Sequence, residues 1–309
     1  MSEAAANQPQ KAPEQAPAQA ARLAPFDVAL LLGIGAAWAV NSLLTKIAVA
    51  DMPPLLFCAI RFLIVAVLLI PYVRRPPAGW GVLIAIVLLT GSLHFGFQNV
   101  GLALAHDLSP MVIAMQLWIP ASIVFATIFL RERAGPWRIL GVGVSFAGIV
   151  VLAADPTVFA QVGALALISF GAACYGGGAV IVRRAPKMHP LGYQAWIGII
   201  SAPLLFAISG ATETGHWQAV RDASWFVWFA IAFAALAGSI GGNAIMFHLA
   251  QRYELSRTTP FLFVSPVLAM GLGVVILGDP MPPQLLIGAA LTLVGVGLVA
   301  MADRLVSRP

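Results

Sequence analysis

From Pro25 onward the chain alternates between apolar stretches of about twenty residues and short clusters of Pro, Gly and charge such as "RRPPAG", "RERAGP", "RRAPKMHP" and "GDPMPP". A helix of roughly twenty apolar residues spans the hydrocarbon core of a bilayer. The pattern predicts ten spanning helices, at 26–50, 54–73, 80–103, 109–130, 137–154, 161–182, 190–209, 224–250, 256–277 and 283–302. No connection between them is long enough for a soluble domain. The opening "MSEAAANQPQKAPEQAPAQAAR" is rich in Ala, Gln and Pro and has no periodicity, so residues 1–24 are expected to form a disordered tail. It lacks the basic start, apolar core and cleavage site of a signal peptide.

Composition agrees with this pattern. With 60% hydrophobic residues, 9% charged residues and a mean hydropathy of +0.92, the chain has too little polar surface to cover a water-soluble globule. The bilayer is its expected solvent. Cys58 and Cys174 both fall inside apolar runs and are expected to be packing residues rather than a disulfide. The net charge of +5 comes from where the basic residues sit. Arg74, Arg75, Arg131, Arg133, Arg138, Arg183, Arg184, Lys187, Arg252, Arg257, Arg304 and Arg308 all fall on one side of the predicted spans, with Lys11 and Arg22 of the tail. The other side carries Asp51, Asp107, Asp155, Glu213, Asp222 and Asp279 against Arg221. The positive-inside rule therefore places both termini in the cytoplasm. It accounts for the basic excess without a nucleic-acid partner.

The two halves of the chain echo each other. "LSPMVIAMQLWIPASIVFATIFLRE" begins at Leu108, and "LSRTTPFLFVSPVLAMGLGVVILGD" begins 147 residues later at Leu255. At the same offset Pro136 meets Pro283, Gly141 meets Gly288, Gly148 meets Gly295, and Gly91-Ser92 meets Gly238-Ser239. Nearer the start of each half the offset is 137, pairing Trp38 with Tyr175, Lys46 with Arg183 and Pro53 with Pro190. The change is absorbed in the loop "GATETGHWQAVRDA". The expected fold is all-α and integral to the membrane. It is a five-plus-five repeat with one half at 25–154, the other at 155–303 and a short tail at 304–309. Because five is odd, the second half is inverted, which is an architecture of alternating access.

"WAVNSLLTKIAVADMPPLLFCAIRF", the Leu-Ser start and Glu132 end of the fourth span, the glycine-spaced fifth span and "RYELSRTTP" before the ninth resemble the EamA branch of the drug/metabolite transporter superfamily. The likeness runs from about Pro25 to Ala302 and is strongest to bacterial exporters of amino acids and related metabolites. It implies a multi-pass protein of a bacterial inner membrane. The ninth span ends in "GDP" where the family usually has Gly-Glu, so Asp279 departs from the pattern.

Polar side chains at membrane depth are expensive and mark sites by default. Arg61 lies roughly 10 Å below one end of the second span at 1.5 Å per residue and matches the family's arginine there. It can clamp an anion or satisfy carbonyls of broken helices. Lys46 is close enough to a helix end to snorkel. The third span places His94 and Gln98 four residues apart on one face, and the first offers Trp38 and Asn41. Gln116 and Trp118 precede Pro120 in the fourth span, and Ser265 precedes Pro266 in the ninth; both prolines permit a helix bend. Tyr175 and Asn243 complete a set that fits an amphipathic pocket for a small-molecule substrate. Each taken singly can equally make an interhelical hydrogen bond.

The small-residue runs Gly141–Gly148 and Gly288–Gly297 allow close packing, within the chain or in a homodimer through the fifth and tenth helices. "YGGG" at Tyr175 lies inside a span and is followed by no Gly-Lys-Ser/Thr, so no ATPase is expected. No cofactor or metal is expected either. No Asp or Glu falls in the central part of any span, and His94 is the one mid-membrane group that titrates near neutrality. Facilitated export is the expected mechanism, with a proton-coupled antiporter using His94 as the alternative. An intramembrane enzyme needs paired carboxylates, a Ser/His pair or metal ligands at one depth, and none converges in the sequence. A structural membrane protein is the remaining class.

Overall fold

The computed structural model describes residues 24–306 except 133, 243, 244, 247, 248 and 250–260, and side chains as far as 302. The described residues are helical and contain no strand. The helices are α1 (Pro25–Asp51), α2 (Pro54–Tyr72), α3 (Trp80–Leu104), α4 (Ser109–Leu130), α5 (Pro136–Ala153), α6 (Val162–Arg184), α7 (Pro190–Thr212), α8 (Trp225–Gly241), α9 (Val264–Leu277) and α10 (Pro283–Val306). Eight of these, all but α8 and α9, are long and apolar enough to cross a membrane. A short helix, His216–Asp222, meets α8 at 100°, and the two together could form a ninth span. It occupies part of the stretch predicted as a loop. The predicted first part of the ninth span lies outside the described residues.

The starts and ends of the helices follow from local chemistry. α1, α2, α5, α7 and α10 begin with a proline at or next to the first position, where its fixed φ suits the helix and its missing N–H costs nothing. α2 has no capping side chain of its own. The Glu213 carboxylate, at the end of α7, accepts from the Leu55 and Leu56 N–H groups at 2.8 and 3.1 Å. Lys46, half-buried near the end of α1, donates its amine to the carbonyls of Leu102 and Ala105 at the end of α3. There it meets orphan carbonyls and the negative end of the helix dipole.

In lipid, helices gain little from hiding apolar surface, so tight association depends on close packing. The α5–α10 pair shows how. Gly141 lies against the Gly295 carbonyl and Val299, and Gly148 lies against Thr292 and the Gly288 carbonyl. Thr292 Oγ1 donates to Gly288 O at 2.8 Å, and Ser145 Oγ donates to Gly141 O at 2.9 Å. The glycine faces of both helices are thus used within the chain. Their outer faces expose Ile139, Val150, Ile287 and Val294. α2 and α7 pack similarly, with Gly198 against the Phe62 carbonyl and the Ala66 backbone.

Three helices contain wide π-helical turns, at Leu88–Leu93 in α3, Ala234–Gly241 in α8 and Gly273–Leu277 in α9. The first two coincide at the 147-residue offset. α4 is interrupted at Gln116 and Leu117, just before Pro120, where tighter bonds from Gln116 N to Ile113 O and from Ile119 N to Gln116 O take over. Just before α9 a turn at Phe263 separates it from the helical residues 261–262, three residues ahead of Pro266. Polar contacts separate the two ends of the bundle. At one end Gln161 Nε2 donates to Asp107 at 2.7 Å, and Asp279 and Glu213 cap helices. At the other, Arg183 and Arg184 bind Glu132 at 2.7 and 2.9 Å, and Trp196 Nε1 donates to Arg74 O. The two guanidiniums hold the Glu132 carboxyl below the usual carboxylate range. It is therefore ionised at neutral pH, and its pairing is lost only as pH falls through that lowered value.

Candidate functional site

The interior polar residues meet where α1, α2, α3, α6 and α8 approach one another. Arg61 is 2% exposed. Its Nε and Nη2 donate to the Ser239 hydroxyl at 3.1 and 2.9 Å. The guanidinium lies 4.3 Å from the Phe95 ring centroid and 5.6 Å from that of Phe62. No carboxylate among the described residues pairs with it. Two of its donors therefore share one neutral acceptor, and among the described residues its charge is met by a hydroxyl and two ring faces.

Beside it, Asn41 and Arg61 both flank Gly238. A methyl on that glycine would stand 3.2 Å from Asn41 Oδ1 and 3.5 Å from Arg61 Nη2. Asn41 Oδ1 is buried without a hydrogen-bond partner. Trp38 Nε1 donates to the Gly238 carbonyl at 3.3 Å, and Gly242 leaves room for its indole. The wide turn of α8 and the glycine that follows it thus present Gly238, Ser239 and Gly242 to α1 and α2, each in a different role.

Phe95 connects this group to a second one. The His94 ring lies 4.5 Å from Phe95 and 4.8 Å from Tyr175, and Tyr175 lies 5.4 Å edge-on to Trp118. His94 Nδ1 is 2.9 Å from the Gly171 carbonyl. A carbonyl only accepts, so Nδ1 carries the proton and, in the neutral ring, Nε2 is an acceptor. A continuous line therefore runs Arg61, Phe95, His94, Tyr175, Trp118.

The other predicted residues relate to this line differently. Gln98 Nε2 contacts Met115 Sδ at 3.0 Å, and its Oε1 is buried and unpartnered. Gln116 Nε2 donates to Val112 O of its own helix. Ser265 sits at the α1–α9 contact, where Gly35 faces Val264 and the Ser265 backbone nitrogen. Among the described residues, the hydrogen bond of the Gln116 side chain stays within α4. Pro120 and Pro266 are buried beside the interruption in α4 and the turn just before α9. Asn243 lies outside the described residues. Sequence reasoning did not single out Ser239 or Phe95 as site residues. The signal for Ser239 was present, because Gly238-Ser239 repeats Gly91-Ser92.

The bundle of apolar helices, eight of them long enough to cross a membrane, is that of a multi-pass membrane protein, and the family it matches makes it a transporter. The chain belongs to the EamA-like transporter family, which matches residues 26–154 and again 162–301. It is 24% identical over 283 residues to a probable amino-acid metabolite efflux pump of Salmonella typhimurium, covering 86% of this chain and 92% of that protein. It is 22% identical to the protein of the same name in Escherichia coli K12, covering 87% and 93%. It is 25% identical to the uncharacterized transporter YvbV of Bacillus subtilis, covering 85% and 87%. A solved crystal structure matches its fold with a TM-score of 0.62 at 18% identity, covering 92% of this chain and 99% of the other.

Proposed function

We propose that this protein exports small metabolites such as amino acids, or amphipathic drugs, across a bacterial inner membrane by alternating access. Its ten helices form two inverted five-helix halves, 25–154 and 155–303, with both termini cytoplasmic. The carrying observation is Arg61, buried in the bundle interior with no opposing charge among the described residues. An isolated charge at that depth costs about 2.5–3.5 kcal/mol on insertion scales. The Ser239 hydroxyl and the two rings offset part of that cost, and a substrate carboxylate offsets the rest. Trp38, Trp118 and Tyr175 supply apolar walls, while Asn41, His94, Gln98, Gln116, Ser265 and Asn243 supply neutral polar groups. The printed names of the two efflux-pump relatives support this substrate class. The decisive assay is efflux of labelled amino acids from sealed, preloaded vesicles, and no efflux of any member of a full panel would reject the reading.

The small-molecule substrate and the bilayer are the proposed partners, without nucleic acid or cofactor. A homodimer through α5 and α10 would use their outer faces at Ile139, Val150, Ile287 and Val294. The orientation has its own test. Cysteines at Asp51 and Asp222, both exposed, are expected to react with an impermeant thiol reagent added outside intact cells, and cysteines at Arg75 and Lys187 are not. Equal labelling of both sets would overturn the inverted architecture.

Energy coupling separates two readings of His94. Without a carboxylate in the central part of any span, transport is expected to continue in vesicles whose proton gradient has been collapsed. His94→Ala then changes apparent affinity rather than pH dependence. Loss of all transport on adding a protonophore selects proton antiport through His94 instead.

A further inference from the structure

The fourth and ninth helices end in the same backbone device. Arg131 and Gly278, 147 residues apart, both take left-handed φ values, of 52° and 76°. The next residue is acidic in each case. Glu132 N–H returns to Ala126 O at 3.3 Å and Asp279 N–H to Gly273 O at 3.2 Å, again at the 147-residue offset. The turn therefore aims one carboxylate at each end of the bundle.

The two carboxylates are treated differently. Glu132 is partly exposed and binds Arg183 and Arg184, whose side chains are 51% and 59% exposed. Asp279 is 6% exposed, and its Oδ2 accepts from both the backbone N–H and the hydroxyl of Ser109, at 2.7 and 2.6 Å. Ser109 is fully buried at the start of α4. Gly273 is the floor of this contact, since a methyl there would collide with both Asp279 Oδ2 and Ser109 Oγ. Lys46, the sequence counterpart of Arg183, is close enough for its charge to act on Asp279. One carboxylate thus closes a dry junction between the second half and the first, while its repeat mate is held in a wet ion cluster.

We propose that the Asp279–Ser109 junction is the latch of the outer closure, which must open for the central site to reach the external face. This rests on the alternating-access reading and on its orientation. Anionic hydrogen bonds of this kind are short and strong and cross between the two halves, so their loss shifts the population toward the outward-open form. Ser109 contributes two donors to one oxygen, so removing its hydroxyl alone leaves half of the junction in place.

The test needs no substrate. Asn41→Cys is placed in a Cys58→Ala/Cys174→Ala background, and a charged, impermeant maleimide is added outside intact cells. Asp279→Ala is expected to raise the initial labelling rate at position 41 about tenfold, and Ser109→Ala by a smaller factor. Unchanged labelling in an Asp279→Ala protein that accumulates normally overturns the latch. If Asp279→Ala is lost from the membrane, Asp279→Asn decides, because its amide oxygen still accepts one bond without the charge. A rise of about threefold supports the latch, and no rise overturns it. Labelling of position 41 from inside-out vesicles only, in every variant, overturns the latch and leaves the transporter reading intact. No labelling from either face overturns the central-cavity reading on which the latch depends.

Discussion

Arg61→Gln leaves the protein inserted and folded, yet lowers export of amino acids by about a hundredfold or more, while uncharged and cationic amphipathic compounds continue to be transported. The physical basis is the difference between Arg61's two roles. Its structural partners are neutral: the Ser239 hydroxyl and the rings of Phe95 and Phe62. Glutamine can still donate to Ser239 Oγ, and removing an uncompensated charge from the interior relieves an insertion cost of about 2.5–3.5 kcal/mol. A substrate carboxylate, however, loses a charge-assisted bond worth about 1.5–3 kcal/mol and is left buried without a counter-charge. Together these exceed the roughly 2.7 kcal/mol that corresponds to a hundredfold. Compounds that use only Trp38, Trp118 and Tyr175 do not meet this penalty. Efflux of labelled amino acids and of a cationic dye is measured in the same vesicles, alongside protein abundance. Equal loss of every substrate with reduced abundance would make Arg61 structural and move recognition to Asn41, His94, Gln98, Gln116 and Asn243.

Gly295→Leu and Gly148→Leu are each expected to prevent accumulation of folded protein, whereas Gly143→Leu on the same helix as Gly148 is expected to be neutral. At Gly295 even a methyl would meet the Ser145 nitrogen and hydroxyl and the Gly141 carbonyl, and at Gly148 it would meet the Thr292 nitrogen and the Gly288 carbonyl. Backbone atoms cannot swing aside. Overpacking costs about 1–3 kcal/mol where side chains can adjust; here the helices must separate, losing the whole seam. Gly143 has nothing within reach of such a methyl. Membrane abundance and the thermal midpoint of the detergent-purified protein distinguish the three variants. A Gly295→Leu protein as stable as its parent would show that the α5 and α10 backbones do not need this close approach.

Much of this arrangement was legible in the sequence because the membrane leaves so few options. Apolar length and helix-starting prolines marked α1 to α7 and α10. α8 and its bent approach were harder to read, since "GHWQAVRD" has loop composition and becomes helical only as a turn before Trp225. Arg61 and His94 could be picked out because charge and imidazole are rare at depth. Ser239 could not, since a serine in an apolar run looks like any small residue until Arg61 is seen against it. Lys46 was readable as a cation near a helix end, but its acceptors were not, because the carbonyls of Leu102 and Ala105 lie 56 to 59 residues further on and their approach is a tertiary fact.

The α5–α10 seam also sets a frame of reference for motion. Its helices come from opposite halves of the chain, and their backbones meet through Gly141, Gly148, Gly288 and Gly295, with the short side chains of Ser145 and Thr292 bonded across the contact. Sliding or tilting there would drive carbonyls into amides, so under the proposed alternating access the seam is expected to move least. Probes on its lipid-facing flank, at positions such as Ile139 and Ile287, therefore make a fixed ruler built into the protein, against which a displacement anywhere else in the bundle can be read as movement of that element alone.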